Sequence, residues 1–216
     1  MSNVTYDYME QYIKGLIPVH EGILWELESY AEENKVPIIH KEVANFLELI
    51  INLKKPKRIL ELGTAIGYSS ILMAKSCDLI EKIDTIERNE DMIYLAKENI
   101  SKSGFAEKIE VLCGDCLQVL ESLEEKYDLI FVDAGKGHYN DFHPQCLRLL
   151  NGGGIIVADN VLYKGMVASQ DLVVRRKITI VKRMKKYIDM ITKDKNLIST
   201  IIPMGDGIAV LKRRDD

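Results

Sequence analysis

The fold is set by Arg58-Ile59-Leu60-Glu61-Leu62-Gly63-Thr64-Ala65-Ile66-Gly67-Tyr68-Ser69, where a short β-rich run meets a glycine-containing turn and a helix begins. Open α/β sheets bind ligands at the carboxyl ends of their strands, and glycine lets the backbone approach a ligand closely. The turn lacks the Lys-Ser/Thr pair of a phosphate-binding loop and the G-x-G-x-x-G spacing of a dinucleotide fingerprint. It therefore predicts either another kind of ligand site or a tight turn without a ligand.

Acidic residues accompany the ends of the first three predicted strands. Glu61 precedes the turn, where an acid suits a neutral or cationic ligand such as S-adenosylmethionine, which carries an ammonium and a sulfonium. Glu87 ends the second strand, where a carboxylate can accept hydrogen bonds from ribose hydroxyls. Gly114-Asp115 ends the third strand, where a carboxylate can accept from an adenine amine. Each acid alone is also typical of a helix cap or a solvated side chain, but together they predict one edge of a nucleoside cleft.

Short β-rich runs alternate with helical segments beyond this turn, which indicates a parallel sheet with helices on both faces. The predicted strands span residues 58–62, 82–87, 109–113, 128–133, 154–159, 199–203 and 207–212. The last two flank Met204-Gly205-Asp206, which predicts a hairpin turn, and the longest predicted helix precedes them at about residues 172–193. A late reversed hairpin is typical of the class I S-adenosylmethionine-dependent methyltransferase fold, a Rossmann-like α/β fold. We therefore expect a seven-stranded sheet that ends in a C-terminal β-hairpin.

The N-terminal part of the chain has a different pattern. Three predicted helices, at residues 6–16, 21–34 and 41–53, precede the first strand, and Pro37 interrupts the helical spacing between the second and the third. No repeat and no Pro/Ser-rich linker divides the sequence. We expect a single domain over residues 1–216, with an added N-terminal helical cap at 1–56 and the Rossmann-like core at 57–216.

A second group of polar residues follows the fourth and fifth predicted strands. Asp133 ends the fourth, and Asp159-Asn160 ends the fifth. If the two strands are neighbours, about 4.8 Å apart, two carboxylates and an amide oxygen meet at the edge that holds the glycine turn. Such oxygen ligands suit Mg²⁺ or another hard divalent cation. The alternative is a set of helix caps and turn residues, which Asp and Asn also favour.

Taken together, these motifs resemble the cation-dependent O-methyltransferases, the family of the catechol and caffeoyl-coenzyme A enzymes. The resemblance covers nearly the whole chain and is greatest to the bacterial branch that methylates 5-hydroxyuridine in tRNA. The segments that carry it are residues 36–38, 61–69, Asp133-Ala134-Gly135-Lys136-Gly137-His138-Tyr139, 159–165 and Ile202-Pro203-Met204-Gly205-Asp206-Gly207. Plant members have an acidic residue where Gly135 stands and an Asn where His138 stands, which argues against a phenylpropanoid coenzyme A substrate.

The resemblance implies roles for individual residues. Asp133, Asp159 and Asn160 become metal ligands, and Lys136 becomes a catalytic base or an orienting cation beside Asp133. The residues implied to line the cofactor cleft are Ile39, Glu61, Gly63, Tyr68, Ser69, Glu87, Gly114, Asp115 and Asp133. A cation that chelates two vicinal oxygens of the acceptor would lower the pKa of its hydroxyl.

Charge is distributed unevenly along the chain. The formal net charge is -4, but residues 1–162 have a balance of -11 and residues 163–216 have a balance of +7. The basic candidates for RNA contact are Lys164, Arg175, Arg176 and Lys177, and Tyr163 is a candidate for stacking on an unpaired base. The basic segment therefore favours a tRNA anticodon loop, although a solvated helix face or a second subunit of a homodimer would also account for it.

Other features restrict the class of protein. Four cysteines in 216 residues do not form a disulfide framework, the first ten residues lack the features of a signal peptide, and no apolar run is long enough to cross a bilayer. We therefore expect a cytoplasmic protein with reduced thiols and no membrane partner. Cys113 and Cys116 have the wrong spacing relative to His138 and His143 for a zinc finger.

The sequence thus predicts an enzyme that uses S-adenosylmethionine and Mg²⁺ to methylate 5-hydroxyuridine at the tRNA wobble position, giving 5-methoxyuridine. A small-molecule catechol O-methyltransferase is the alternative that the same pocket allows. A non-catalytic RNA-binding protein with the same fold is disfavoured because Asp133, Lys136, Asp159 and Asn160 are all present.

Overall fold

A computed structural model describes residues 3–214 of the chain. It contains seven β-strands: β1 Arg58–Leu62, β2 Lys82–Glu87, β3 Ile109–Cys113, β4 Tyr127–Val132, β5 Leu150–Ala158, β6 Leu197–Ile202 and β7 Ile208–Arg213. Its eight α-helices are α1 Asp7–Leu16, α2 Ile23–Asn34, α3 Lys41–Lys54, α4 Tyr68–Ser76, α5 Glu90–Ser103, α6 Cys116–Ser122, α7 Tyr139–Leu149 and α8 Ile178–Lys193. Within the described residues no helix is both long enough and apolar enough to cross a membrane.

The seven strands form one sheet in the order β3-β2-β1-β4-β5-β7-β6. The five strands from β3 to β5 are parallel, whereas β7 runs antiparallel to both β5 and β6. The predicted Rossmann-like sheet and its closing hairpin are therefore confirmed.

Apolar side chains on both faces of the sheet explain why helices cover it on both sides. Successive residues of β1 point to opposite faces, so Ile59 packs with α3, α4 and α5 while Leu60 packs with α6, α7 and α8. The N-terminal helices α2 and α3 lie over α4 on the first face. Thus the added cap covers the helix that follows the glycine turn.

The longest helix begins later than the sequence pattern predicts. Residues 175–177 form a single 3-10 turn, and α8 starts at Ile178 rather than at about residue 172. The apolar residues Leu172 and Val174, 37% and 50% exposed, belong to the loop that precedes it. Hydrophobic spacing extended the predicted helix because these loop residues happen to fall in phase with its buried face.

Candidate functional site

The carboxyl ends of three neighbouring strands lie in one row. Leu62 is opposite Val132 in the β1–β4 pair, and Val132 is opposite Ala158 in the β4–β5 pair. The next residues are Gly63, Asp133 and Asp159, and the last two continue the ladder. Asp133 N donates to the Leu62 carbonyl at 3.0 Å, and Asp159 N donates to the Val132 carbonyl at 2.9 Å. The register of the sheet thus brings the two carboxylates together beside the glycine turn.

Asn160 connects the charged groups of this cluster. Its side-chain Nδ2 donates to Asp133 Oδ1 at 2.8 Å, and its backbone N donates to Asp159 Oδ1 at 2.6 Å. Lys136 Nζ donates to Asn160 Oδ1 at 2.6 Å. The amide therefore joins both carboxylates to the ammonium group.

Burial and like charge act on the two carboxylates. Desolvation raises the pKa of Asp133 and of Asp159 above the ordinary range of an aspartate, and their mutual repulsion raises the pKa of Asp159 further. Lys136 opposes the shift in both cases. Two such carboxylates with an amide oxygen between them fit a hard divalent cation, because one ammonium group does not balance their charge.

Tyr139 fixes the backbone that presents the carboxylates. It is buried at the start of α7, and its hydroxyl donates to the carbonyl of Asp159 at 2.9 Å and to that of Val132 at 3.2 Å. These bonds tie the ends of β4 and β5 to one helix. The spacing of the carboxylates thus depends on a buried side chain that contacts neither carboxylate group.

A cavity of about 250 Å³ extends from the glycine turn along the ends of β2 and β3. The polar groups lining it include Glu87, Arg88 and Asp115, and Phe142 provides an aromatic wall. Asp115 Oδ1 also caps α6 by accepting from Leu117 N at 3.0 Å. The other oxygen, 4.0 Å from Arg88 Nη1, faces solvent on a half-exposed side chain, so the carboxylate retains capacity for a ligand donor.

Glu87 holds the glycine turn in place. Its Oε2 accepts from Ala65 N at 3.0 Å, and its Oε1 accepts from the backbone amides of Arg88 and Asn89 at 2.9 and 3.0 Å. Each carboxylate oxygen has two lone pairs, so Oε2 retains one lone pair for a hydroxyl donor of a ligand. Gly114 N donates to the Glu87 carbonyl at 2.8 Å, which brings Asp115 to the same cavity.

Three residues predicted to line the cofactor cleft lie elsewhere. Glu61 is fully buried beneath the turn, and its Oε2 accepts from Ser70 and, at 2.7 Å, from Thr85. Its burial raises the pKa of its carboxyl group. Ser69 is 7% exposed and lines neither cavity at the strand ends.

Tyr68 points into the N-terminal cap instead of the cofactor cleft. Its hydroxyl donates to Glu28 Oε1 at 2.6 Å, and His20 Nδ1 lies 2.7 Å from the same oxygen. The difference from the expectation arises because Tyr68 is the first residue of α4, directly under α2. Its role is therefore to attach the cap to the glycine turn.

A second cavity of about 440 Å³ contains the charged cluster. Ile39 lines it as expected, together with Gly63, Glu87, Asp133, Lys136, Asp159 and Asn160. The sequence interpretation did not place Pro37, Ile38, His40 or Asp206 at the site. The signals for Asp206 were its place in the hairpin turn and in the segment 202–207 that carries the resemblance, and the antiparallel return of β7 beside β5 brings that turn to the site.

The basic segment contacts the loop that carries Lys136. Lys164, Arg175 and Arg176 are exposed, and Arg183 Nη1 donates to the Gly137 carbonyl at 2.7 Å in the loop that carries Lys136. Tyr163, predicted to stack on a base, is only 8% exposed and packs with Met166 and Val181.

Lys177 Nζ lies 5.8 Å from the centre of the Tyr163 ring. The ring is thus covered, with Lys177 half-buried against it, whereas Lys164 is exposed. Among the residues from 3 to 214, no group of three or more His, Cys, Asp or Glu side chains is arranged to hold a metal ion.

Comparison with known proteins gives consistent matches over most of the chain. A family model described as O-methyltransferase matches residues 19–214. A catechol O-methyltransferase of Niastella koreensis is 31% identical over 177 residues, which are 79% of this chain and 80% of that protein.

Solved structures extend this similarity. One, assigned as a caffeoyl-CoA O-methyltransferase from Staphylococcus aureus, has a TM-score of 0.89 and 32% identity, covering 96% of this chain and all of that one. The O-methyltransferase TomG of Streptomyces achromogenes, in complex with S-adenosylmethionine, shares the fold with a TM-score of 0.83, 24% identity and 99% coverage of both chains.

Proposed function

The chain belongs to the O-methyltransferase family, whose members are S-adenosylmethionine-dependent transferases, and we propose that its acceptor is 5-hydroxyuridine at the wobble position of tRNA. The observation that supports this acceptor is the exposed basic segment, which contacts the loop that carries Lys136 through Arg183. Lys164, Arg175 and Arg176 are exposed, and phosphate contacts of such cations position a nucleic acid without reading its sequence. The product would be 5-methoxyuridine.

A divalent cation, with Mg²⁺ as the expected one, is part of the proposal. The residues that would hold it are Asp133, Asp159 and Asn160, because two buried carboxylates with raised pKa values need positive charge beyond that of Lys136. When bound, a cation in this position supplies Lewis-acid polarisation of the acceptor hydroxyl and its neighbouring oxygen. For 5-hydroxyuridine these oxygens are the 5-hydroxyl and the 4-carbonyl, and for a catechol they are the two hydroxyls.

Lys136 is the general base in this scheme. As the free amine, its Nζ would take the proton from the acceptor hydroxyl. The resulting oxyanion forms a bond to the methyl carbon while the carbon–sulfur bond breaks, leaving the methyl ether and S-adenosylhomocysteine. Asn160 orients Lys136 through the 2.6 Å bond to Nζ. The rest of the rate enhancement would come from positioning, because the acceptor oxygen and the methyl carbon would meet beside the charged cluster.

The cofactor would lie across the two cavities, which share Gly63, Glu87 and Ala134. Glu87 would accept from a ribose hydroxyl through Oε2, and Asp115 would accept from the adenine amine beside Phe142. The sulfonium would then be near Asp133. This arrangement places the nucleoside at the ends of β2 and β3 and the reactive methyl at the ends of β1 and β4.

A small catechol is the second candidate acceptor, favoured by the name of the Niastella koreensis relative. The deciding experiment supplies S-adenosylmethionine and Mg²⁺ with either an anticodon stem-loop that contains 5-hydroxyuridine or a catechol, and it follows the products by mass spectrometry. We expect 5-methoxyuridine from the stem-loop with the higher kcat/KM. Turnover of the catechol alone, together with unchanged tRNA nucleosides after deletion of the gene, would contradict the tRNA proposal.

Charge-reversal variants of the basic segment test whether it binds the stem-loop. Replacing Arg175 and Arg176 with Glu should weaken stem-loop binding by about 10- to 100-fold and reduce its salt dependence, because phosphate contacts are lost. The matched variant replaces Lys193 and Lys195 with Glu at the other end of α8, roughly 24 Å away for a 16-residue helix. Equal losses in both pairs would indicate nonspecific attraction rather than a docking surface.

We propose that the protein is cytoplasmic. We also propose that it forms a homodimer through the exposed face of α1. The helix has no buried residue, and Tyr8, Tyr12 and Leu16 are 67%, 70% and 64% exposed. A second copy of the chain would cover this apolar face, because exposed patches of this kind usually mark interfaces. Light scattering should give about twice the 24.6 kDa chain mass, and Tyr12→Lys should shift it to the monomer. An unchanged mass in that variant would exclude α1 from the interface.

A further inference from the structure

We infer that Gly207, in the turn between β6 and β7, is a positioning residue for Asn160, acting through Leu162. The inference rests on the proposed metal function, and it assigns a role to a turn at the far end of the sequence from the glycine turn. Gly207 is not among the residues that line the charged cavity. It acts on the segment 161–163, which directly follows Asp159 and Asn160.

Three backbone hydrogen bonds join the hairpin turn to this segment. Val161 N donates to the Gly207 carbonyl at 2.9 Å, and the amides of Leu162 and Tyr163 donate to the Asp206 carbonyl at 2.9 and 3.0 Å. The segment has no regular strand or helix of its own at this point. The three hydrogen bonds to the turn therefore position the backbone of residues 161–163.

The absence of a side chain at Gly207 is needed for this contact. A Cβ built there would lie 2.4 Å from Leu162 Cγ, 2.6 Å from its Cβ and 2.8 Å from its backbone N. The last of these atoms belongs to the main chain, so a rotamer change of Leu162 does not relieve the overlap. Any side chain at position 207 must move the backbone two residues from Asn160.

The backbone of Asn160 has a strained conformation that neighbouring contacts must hold in place. Its φ is +63°, in the left-handed region, and Tyr163, Lys164 and Gly165 follow with φ values of +44°, +56° and +76°. A strained backbone persists only when surrounding structure holds it in place. The hydrogen bonds from residues 161–163 to the turn provide part of this support, together with the bonds of Asn160 itself.

A displacement of Asn160 would change its hydrogen bonds to all three charged groups of the cluster. Its side-chain amide donates to Asp133 Oδ1 and accepts from Lys136 Nζ, and its backbone N donates to Asp159 Oδ1. Replacing a residue that orients a metal ligand without binding the metal itself typically weakens metal affinity by 10- to 100-fold. The same range is expected here.

The test compares Gly207→Ala with Gly205→Ala in the full chain. Both glycines lie in the same turn with positive φ, +91° and +55°, but a Cβ at Gly205 would face the side chains of Val43 and His40, at 3.1 and 3.3 Å. We expect Gly207→Ala to weaken Mn²⁺ binding, measured by calorimetry without acceptor, by at least tenfold. Gly205→Ala should weaken it by less than about threefold, although both substitutions lower the melting temperature.

A second measurement separates the positioning role from the metal proposal. The Asn160 side-chain amide resonance of the cation-free, ¹⁵N-labelled protein reports its bond to Asp133, and we expect it to move in Gly207→Ala and not in Gly205→Ala. If Gly207→Ala does not fold, Leu162→Ala disturbs the same contact from the other side and should move the resonance as well. A moved resonance in a protein that binds no Mn²⁺ would support the positioning role and contradict the metal proposal. Equal behaviour of the two glycine variants would overturn the inference.

Discussion

Replacing Asp159 with Ala is expected to lower kcat/KM for methyl transfer by on the order of 10³-fold or more, because each tenfold loss corresponds to 1.36 kcal/mol and a bound metal contributes several kcal/mol. Asp159 is 1% exposed and lies in register with Asp133 across neighbouring strands. Its removal deletes one of only two carboxylates in the proposed metal site. Activity should be followed with Mg²⁺ titrated into chelator-treated protein.

The fold of this variant should survive, which makes the result interpretable. Desolvation and repulsion from Asp133 raise the pKa of Asp159, so the ionised carboxylate is unfavourable in the cation-free protein and its loss relieves repulsion. Wild-type protein should gain melting temperature from Mg²⁺, and Asp159→Ala should gain none. Asp159→Asn keeps an oxygen for the Asn160 amide, and the exposed Glu124→Gln is the matched control. Full activity of Asp159→Ala in the presence of chelator would exclude the metal scheme.

The parts of this site that could be predicted from the sequence are those set by strand ends. Gly63, Asp133 and Asp159 each follow a buried run directly, so parallel pairing in the common order brings them to one edge of the sheet. Glu87 could be placed for the same reason at the end of β2. The closing hairpin was predicted from the turn residues 204–206, and the class of fold followed from it.

The direction of a side chain could not be predicted in the same way. β1 is buried on both faces, so the alternation of apolar and polar residues that normally identifies the exposed side is missing, and Glu61 lies under the turn. Tyr68 could point to the cleft or to the cap, and only the packing of α2 over α4 decides it. Tyr163 is buried against Met166 and Val181 and begins a run of three left-handed residues, and residue types alone do not predict such a run.

Contacts between distant segments were the least predictable part. Asp206 and Gly207 meet residues 161–163 because β7 is inserted between β5 and β6, which requires the whole topology. The loop before α3 reaches the cavity through the position of the cap on α4. Neither arrangement leaves a periodic pattern in the sequence, because it depends on the packing of complete elements.

Lys136→Met is expected to lower kcat by about 10²- to 10⁴-fold, the usual contribution of a general base. Lys136 is the cation nearest the two carboxylates, and its Nζ bonds to Asn160 at 2.6 Å. The substitution keeps the length of the side chain and removes the amine. Single-turnover measurements with saturating cofactor and acceptor isolate the chemical step from binding, and the exposed Lys97→Met is the control.

Lys136→Arg distinguishes a base from an orienting cation. A guanidinium keeps the positive charge and hydrogen-bond donors but cannot be deprotonated in a protein, so it cannot accept the hydroxyl proton. If Lys136 is the base, the Arg variant should be as impaired as the Met variant, while both retain Mn²⁺ affinity within about tenfold through Asp133 and Asp159. Recovery of the Arg variant to near wild-type kcat would assign the residue to holding the acceptor oxyanion by charge alone, since its amine would then not be needed for proton transfer.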